Sequence, residues 1–359
     1  MQVLTHHSPI VLPGVAQRPA LDHRPAYDGL VCEQWGDWRE LKRQQLERQP
    51  LQPGQVRLAV HYAGVGFALK LIVAGQYQRK PPLPFTPGTE ASGVVLEVAE
   101  GVVHLVPGQR VAAALDWGAF AQEAVVSADT VYPVPDALPL GQAAALPITY
   151  GTTGAALEWR GRLQPGEVLL VHGASGALGM AAVQIGRSMG ATVIATASTE
   201  VKRNAALANG AHHVLPPDPQ TLAASVKALT GGRGADVVFD PVGGDLFDAS
   251  LRSTAAEGRI LCIGFAGGRI AQIPANLLLV KNIAVIGFNY GLYIGWGLQD
   301  ERRRHAPAVQ ALITRLFDSV ASGHMPAPMT EHFPFDDWKV AIDTTMSRRS
   351  VGKVILDMV

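Results

Sequence analysis

The stretch that decides the fold is VLLVHGASGALGM, residues 168–180. Val168 to Val171 make a short apolar run of the kind buried on both faces of a parallel sheet. A turn of small residues follows, carrying Gly173, Ala174, Ser175, Gly176 and Gly179. Beyond it Ala182, Val183, Ile185, Gly186 and Met189 stand at helical spacing. Strand, glycine turn and helix together form a dinucleotide-binding element. Small residues let the backbone approach a pyrophosphate, and free N–H groups at the helix start face the anion. Against G-x-G-x-x-G, Ala174 takes the first glycine's place, and Gly176 and Gly179 fill the other two. A tight strand-to-helix junction of any function also wants glycine, so the surrounding chain has to decide.

The pattern changes on either side of this element. Residues 29–34, 55–62, 89–98, 109–114, 118–126 and 131–134 read as short strands, with turns such as Pro53-Gly54 and Pro107-Gly108 between them. Residues 77–87 carry prolines at 81, 82, 84 and 87, which make an extended loop. Residues 142–160 are helical in composition, interrupted by Pro147, Gly151 and Gly154. After the glycine turn, strands at 192–196, 213–215, 236–240, 259–265 and 283–288 alternate with helices at 201–209, 222–229 and 245–254. Strand alternating with helix means a parallel sheet. A helix covers 299–322, and the chain ends on a strand at 353–357.

A length of 359 residues suggests two domains. Hydrophobic content of 48% and 17% charge describe a globular chain with ample core. The formal net charge is zero, so no basic face is announced and nucleic acid is not an expected partner. No apolar run reaches membrane-span length. Cys32 and Cys262 are too few for a disulfide framework and suit a reducing, cytoplasmic compartment. Residues 1–26, with His6, His7 and four prolines, read as a tail and lack the layout of a signal peptide.

Several separate signatures then carry a resemblance. They are GQYQRKPPLPFTPGTEASGVV (75–95), AALPITYGTTGAAL (144–157), VHGASGALG (171–179), GADVVFDPVGG (234–244) and IPANLLLVKNIAVIGF (273–288). From about Tyr27 to its end the chain resembles the zinc-independent quinone oxidoreductases of the medium-chain dehydrogenase/reductase superfamily. The resemblance implies an α/β fold: a barrel-like, mostly-β catalytic domain with an inserted Rossmann domain, a doubly wound parallel sheet. The expected division is a tail at 1–26, catalytic domain at 27–149, Rossmann domain at 150–292, and a return to the catalytic domain at 293–359. The family pairs the edge of its Rossmann sheet across a two-fold axis, so a homodimer is expected.

The cofactor can be argued from residues. An NAD site wants an acid at the end of the second strand, to hold the ribose 2′-hydroxyl. Here that strand, ATVIATA (191–197), runs into Ser198, Thr199, Glu200, Val201, Lys202 and Arg203. By the resemblance, Ser198 and Lys202 grip the 2′-phosphate of NADPH, and Arg203 is a rival for that role. The alternative is a capped helix start with a solvated lysine. A family tyrosine that stacks on adenine has its place near Pro217. Further cofactor contacts follow by match: Thr152, the turn residues Ser175, Gly176, Ala177, Leu178 and Gly179, the strand ends Val242, Gly243, Phe265 and Ala266, and Lys353 near the cleft. Plain core packing is the competing account of Val242 and Phe265. Ser350 stands where the family often has asparagine.

Zinc-dependent relatives carry a cysteine in the first-domain loop and a histidine in Gly-His-Glu. Here the loop reads GVGFALK (64–70) and the signature Gly88-Thr89-Glu90, so no metal is expected. His172 reads as a pocket or packing residue. The family's Asn-Phe-x-Asp polar pair falls on Gly66 and Leu69, which leaves Tyr77 as the candidate proton donor, with packing against the loop prolines as its other role. The loops facing the substrate carry no charged cluster that would name it. The expected activity is NADPH-dependent hydride transfer to a quinone or an activated alkene, such as an enone or enoyl thioester. The alternative is a non-catalytic NADPH-binding sensor or scaffold.

Overall fold

The computed structural model describes residues 26–359. The reading of 1–26 as a tail therefore lies outside the described residues, except that Ala26 already opens the first strand. In chain order, β1 (Ala26–Val31) and β2 (Lys42–Glu47) form an antiparallel pair. Then come β3 (Gln55–Val65), α1 (Leu69–Val73), β4 (Glu90–Val98), β5 (Arg110–Ala114), β6 (Glu123–Ser127) and β7 (Val131–Pro133). A helical passage holds α2 (Leu140–Ala143) and α3 (Gly151–Ala155). Strand and helix alternate next: β8 (Val168–Val171), α4 (Ala177–Ser188), β9 (Thr192–Thr196), α5 (Glu200–Ala208), β10 (His213–Leu215), α6 (Leu222–Leu229), β11 (Ala235–Asp240), α7 (Gly244–Ser253), β12 (Thr254–Cys262), α8 (Ala275–Lys281) and β13 (Ala284–Gly287). The chain closes with α9 (Arg302–Ala321), β14 (Thr330–Pro334), α10 (Trp338–Met346) and β15 (Lys353–Asp357).

The larger strands fall into two sheets. One runs β14-β15-β3-β4-β5-β7, with β6 also on β3. The C-terminal strand β15 lies antiparallel to β3, so the end of the chain returns to the first sheet. The other is wholly parallel, in the order β10-β9-β8-β11-β12-β13. Its direction of winding reverses between β8 and β11, the place where open α/β sheets bind ligands. The VLLV run explains why β8 is central. Leu169 and Val171 face one apolar core with Val183 and Ile185 of α4, and Val168 and Leu170 face another with Val226 and Phe247. All four are buried, as a strand covered on both faces requires.

Pro147, Gly151 and Gly154 do not end the helical passage. It continues from residue 140 to 160 with two π-helical stretches, Leu146–Tyr150 and Ala156–Arg160. Its glycines admit close neighbours: a Cβ on Gly151 would lie 2.6 Å from the Tyr290 hydroxyl, and one on Gly154 3.1 Å from Leu312 of α9.

Candidate active site

The glycine turn is built by close approach. A Cβ on Gly179 would sit 2.2 Å from the Gly173 carbonyl oxygen and 2.7 Å from Ala174 Cα, so only glycine fits there. Gly173 itself has φ +60°. Gly176 caps α4, with no side-chain cap bond, which leaves the first-turn N–H groups of Ala177, Leu178 and Gly179 for an anion. The turn is also fastened to the first sheet's end: Gly352 N–H donates to the Ser175 carbonyl at 2.8 Å. A Cβ on Gly173 would meet Val242 at 3.2 Å, and one on Gly243, whose own φ is +70°, would meet the Phe265 ring at 3.0 Å. Val242 thus lies beside the turn, and Phe265 beside Gly243. Phe265 is 43% exposed, so core packing does not account for it.

The corner beyond β9 separates the two cationic candidates. Thr199, not Ser198, caps α5: its hydroxyl accepts from Lys202 N–H at 3.3 Å. Arg203 turns back to the strand end and donates to the carbonyls of Ala197 and Ser198, at 3.0 and 3.3 Å. Lys202 points the other way and donates to the Arg348 carbonyl at 2.7 Å. Arg348 was not singled out by sequence reasoning. It has φ +57°, hydrogen-bonds the Ala266 carbonyl, and sets its guanidinium 5.9 Å from the Phe67 ring centroid. It spans the mouth between the two sheets. Its only sequence signal is the Arg348-Arg349 pair before Ser350, which a solvated turn would show equally.

The inner wall of the site is a buried ion pair. Lys353 and Glu90 are 4% and 2% exposed, and the ammonium donates to the carboxylate. Glu90 also accepts from the Thr149 hydroxyl at 3.1 Å and from the N–H groups of Ile148 and Thr149, both at 3.3 Å. Buried charges are tolerated when paired and hydrogen-bonded in this way. The lysine is therefore in the wall between the glycine turn and β3 rather than out in an open cleft. Thr152 is half-exposed one turn beyond Thr149. Gly66 stands beside Lys353, whereas Leu69 is core, packed within α1 at 4% exposure.

Tyr77 is half-buried and lines a small cleft with Ile72, Arg79, Pro81, Thr89, Asp116 and Trp296. Burial pushes its phenol up from the usual value, which keeps the hydroxyl protonated and able to donate. The same cleft holds a charged cluster that the sequence reading did not name. Asp116 accepts from Arg79, from the Trp296 indole at 3.0 Å, and from Arg302 Nη2, which reaches its two carboxylate oxygens at 2.9 and 3.0 Å. These residues are far apart in sequence, and only the fold assembles them. The cluster ties the loop after β5 to the start of α9.

His172 is a packing residue. It is fully buried between Thr196 and Ser250, with ring nitrogens 3.1 and 2.7 Å from their hydroxyls. Burial lowers its pKa from the ordinary 6.5, against a smaller opposing effect of Asp240. The folded state thus holds it neutral, while the unfolded chain binds a proton below about pH 6.5. Its contribution to stability is complete above that pH and is lost progressively as pH falls from there through the lower pKa of the folded state. We expect the thermal midpoint of the wild type to fall more steeply between pH 7 and 5 than that of His172→Gln. Equal slopes in a pH series of melts would remove His172 from the acid response. Among the described residues no three His, Cys, Asp or Glu side chains come together as a metal-holding group.

Glycine turn, carboxyl strand ends and the cationic corner define a dinucleotide-binding oxidoreductase fold of two domains. Comparison narrows this. Residues 52–136 match the alcohol dehydrogenase GroES-like domain, and residues 177–305 match the family described as zinc-binding dehydrogenase. The chain is 38% identical over 333 residues to quinone oxidoreductase-like protein 2 of Rattus norvegicus, covering 92% of each. A Pseudomonas syringae quinone oxidoreductase structure superposes with TM-score 0.84 at 28% identity, covering 92% of this chain and 99% of that one. The Escherichia coli quinone oxidoreductase, solved with NADPH, gives 0.79 at 28% identity, with the same coverage. The chain belongs to the quinone oxidoreductase-like group of the medium-chain dehydrogenase/reductase family.

Proposed function

We propose that the protein is an NADPH-dependent reductase of quinones or activated alkenes that works without zinc. The observation that carries this reading is the corner before α5, where the strand end carries no acid and the Ser198–Lys202 pair follows it. The residues fit the cofactor. Gly176 and Gly179 give the backbone clearance for a pyrophosphate, the α4 N-terminus offers free donors, and Ser198 and Lys202 face a 2′-phosphate. On this reading Thr152, Val242, Gly243, Phe265 and Ala266 would line the remaining path of the cofactor. The reduced nicotinamide would supply hydride there. Tyr77 would hold the proton for the carbon next to the acceptor's carbonyl.

The loss of polar groups at Gly66 and Leu69 favours the second reading, a cofactor-binding protein without catalysis. The assay that separates them is NADPH oxidation over a panel of quinones, enones and enoyl thioesters, after dialysis against chelator. Turnover of at least one class, unchanged by the chelator, supports the reductase. Tight NADPH binding with no turnover favours the second reading, and loss on chelation removes zinc independence.

A homodimer through the edge of the parallel sheet belongs to the same proposal. β13 is the last strand of that sheet, and Leu279 and Val280 of the preceding α8 are 78% and 74% exposed. An open strand edge beside apolar side chains invites pairing with a second copy. We expect a dimer mass by light scattering at micromolar concentration; a monomer mass would contradict it.

A further inference from the structure

We infer that Lys353 is a catalytic residue, its ammonium donating a hydrogen bond to the carbonyl oxygen of the acceptor in the space left open at Gly66. The inference rests on the reductase reading and names the chemistry its substrate must carry: a carbonyl conjugated to the carbon that receives hydride. Gly64 is the penultimate residue of β3, and Gly66 is the first residue beyond its end. A Cβ on Gly64 would be 2.8 Å from Lys353 Cε and 2.7 Å from Glu90 Cγ, so that gap is already filled by the ion pair. The gap at Gly66 is not. A Cβ there would meet one atom within 4 Å, the Lys353 Nζ, at 4.0 Å. Among the described residues Glu90 is the only side-chain or backbone acceptor recorded for this ammonium, which has three N–H groups. Gly352, the residue before it, is bonded to the glycine turn, so the cation is anchored between the turn and the open space.

The electron balance gives the cation its task. The β-carbon gains hydride as the nicotinamide is oxidised, and the C=C pair moves through the α-carbon to leave an enolate oxygen. A proton from Tyr77, replaced from water, then completes the α C–H bond. The negative charge rests meanwhile on the oxygen, and a preorganised donor in a water-poor site stabilises it. Glu90 holds the ammonium in place and keeps the resting site neutral.

The test uses Lys353→Met, the pair Glu90→Gln with Lys353→Met so that no carboxylate is left buried alone, and Gly66→Val. Three readouts are followed: kcat with an enone, NADPH affinity by fluorescence, and binding of 4-nitrophenolate, an oxyanion probe, by its absorbance. We expect kcat to fall about 100- to 1000-fold in both lysine variants, the usual loss of one such donor. NADPH affinity should stay within about threefold, and nitrophenolate binding should be lost. Gly66→Val should block nitrophenolate and leave NADPH bound. Retained kcat in the doubly substituted protein would overturn the inference, as would loss of NADPH affinity with nitrophenolate binding intact. A wild type that turns over no acceptor, yet loses nitrophenolate on these substitutions, would remove the reductase reading and leave the oxyanion site standing.

Discussion

Replacing Gly179 by valine should abolish NADPH binding and lower stability by about 1–3 kcal/mol, the range for overfilled cores. The cause is local. The first side-chain atom would arrive 2.2 Å from the Gly173 carbonyl oxygen, against backbone that cannot yield without opening the turn. Moving α4 away would also withdraw the N–H groups of its first turn from the anion they face. Gly176→Ala is the matched control, because the nearest atom to its added carbon is 3.5 Å away. That variant should keep its melting temperature and lose part of the stabilisation given by NADPH, because its methyl group enters the clearance left for the pyrophosphate. If Gly179→Val retained a thermal shift with NADPH equal to the wild type's, the glycine turn would not be the cofactor's seat.

Lys202→Ala should weaken NADPH by about 10- to 100-fold and leave NADH within about twofold. A charge-assisted hydrogen bond is worth about 1.5–3 kcal/mol, and about 1.4 kcal/mol is a decade of affinity. The hydrogen bonds of this lysine and its neighbour differ. Arg203 is engaged with the Ala197 and Ser198 carbonyls, so Arg203→Ala should loosen the strand end and affect both cofactors alike. Lys202 has only the Arg348 carbonyl as partner among the described residues, and its remaining N–H groups are free for phosphate. The preference for NADPH should also shrink with added salt, since the corner is partly exposed. Titration of both cofactors into both variants checks the assignment. A large loss confined to Arg203→Ala would move it one residue along.

The parallel sheet was legible because its central strands are buried on both faces and so read as apolar runs: VLLV for β8, VVF within β11. The antiparallel sheet was legible by its turns. β2 was missed because KRQQLE is polar and largely exposed, and its pairing with β1 is the only thing that makes it a strand. α10 was missed because WKVAIDTTM carries two threonines and one valine, a weak helical composition that docking against β14 and β15 overrides. Within the proposed site, the glycine turn and Lys202 follow local rules and were readable as candidates. The Glu90–Lys353 pair joins residues 263 positions apart, and Arg348 meets Lys202 across 146. Such meetings depend on β15 returning to β3, which no local pattern encodes. Asp116 gave no signal for the same reason: its three partners come from a proline loop, the segment before α9, and α9 itself.

The central claim is that hydride passes from NADPH, held at this turn, to a carbonyl-conjugated acceptor. Its most direct test is isotope transfer, with NADPH deuterated at nicotinamide C4 on either face, an enone acceptor, and mass spectrometry of the product. The account predicts one deuterium per product molecule at the β-carbon from one of the two labelled faces and none from the other. Product with no deuterium from either face, or no product at all while NADPH is bound, would contradict it.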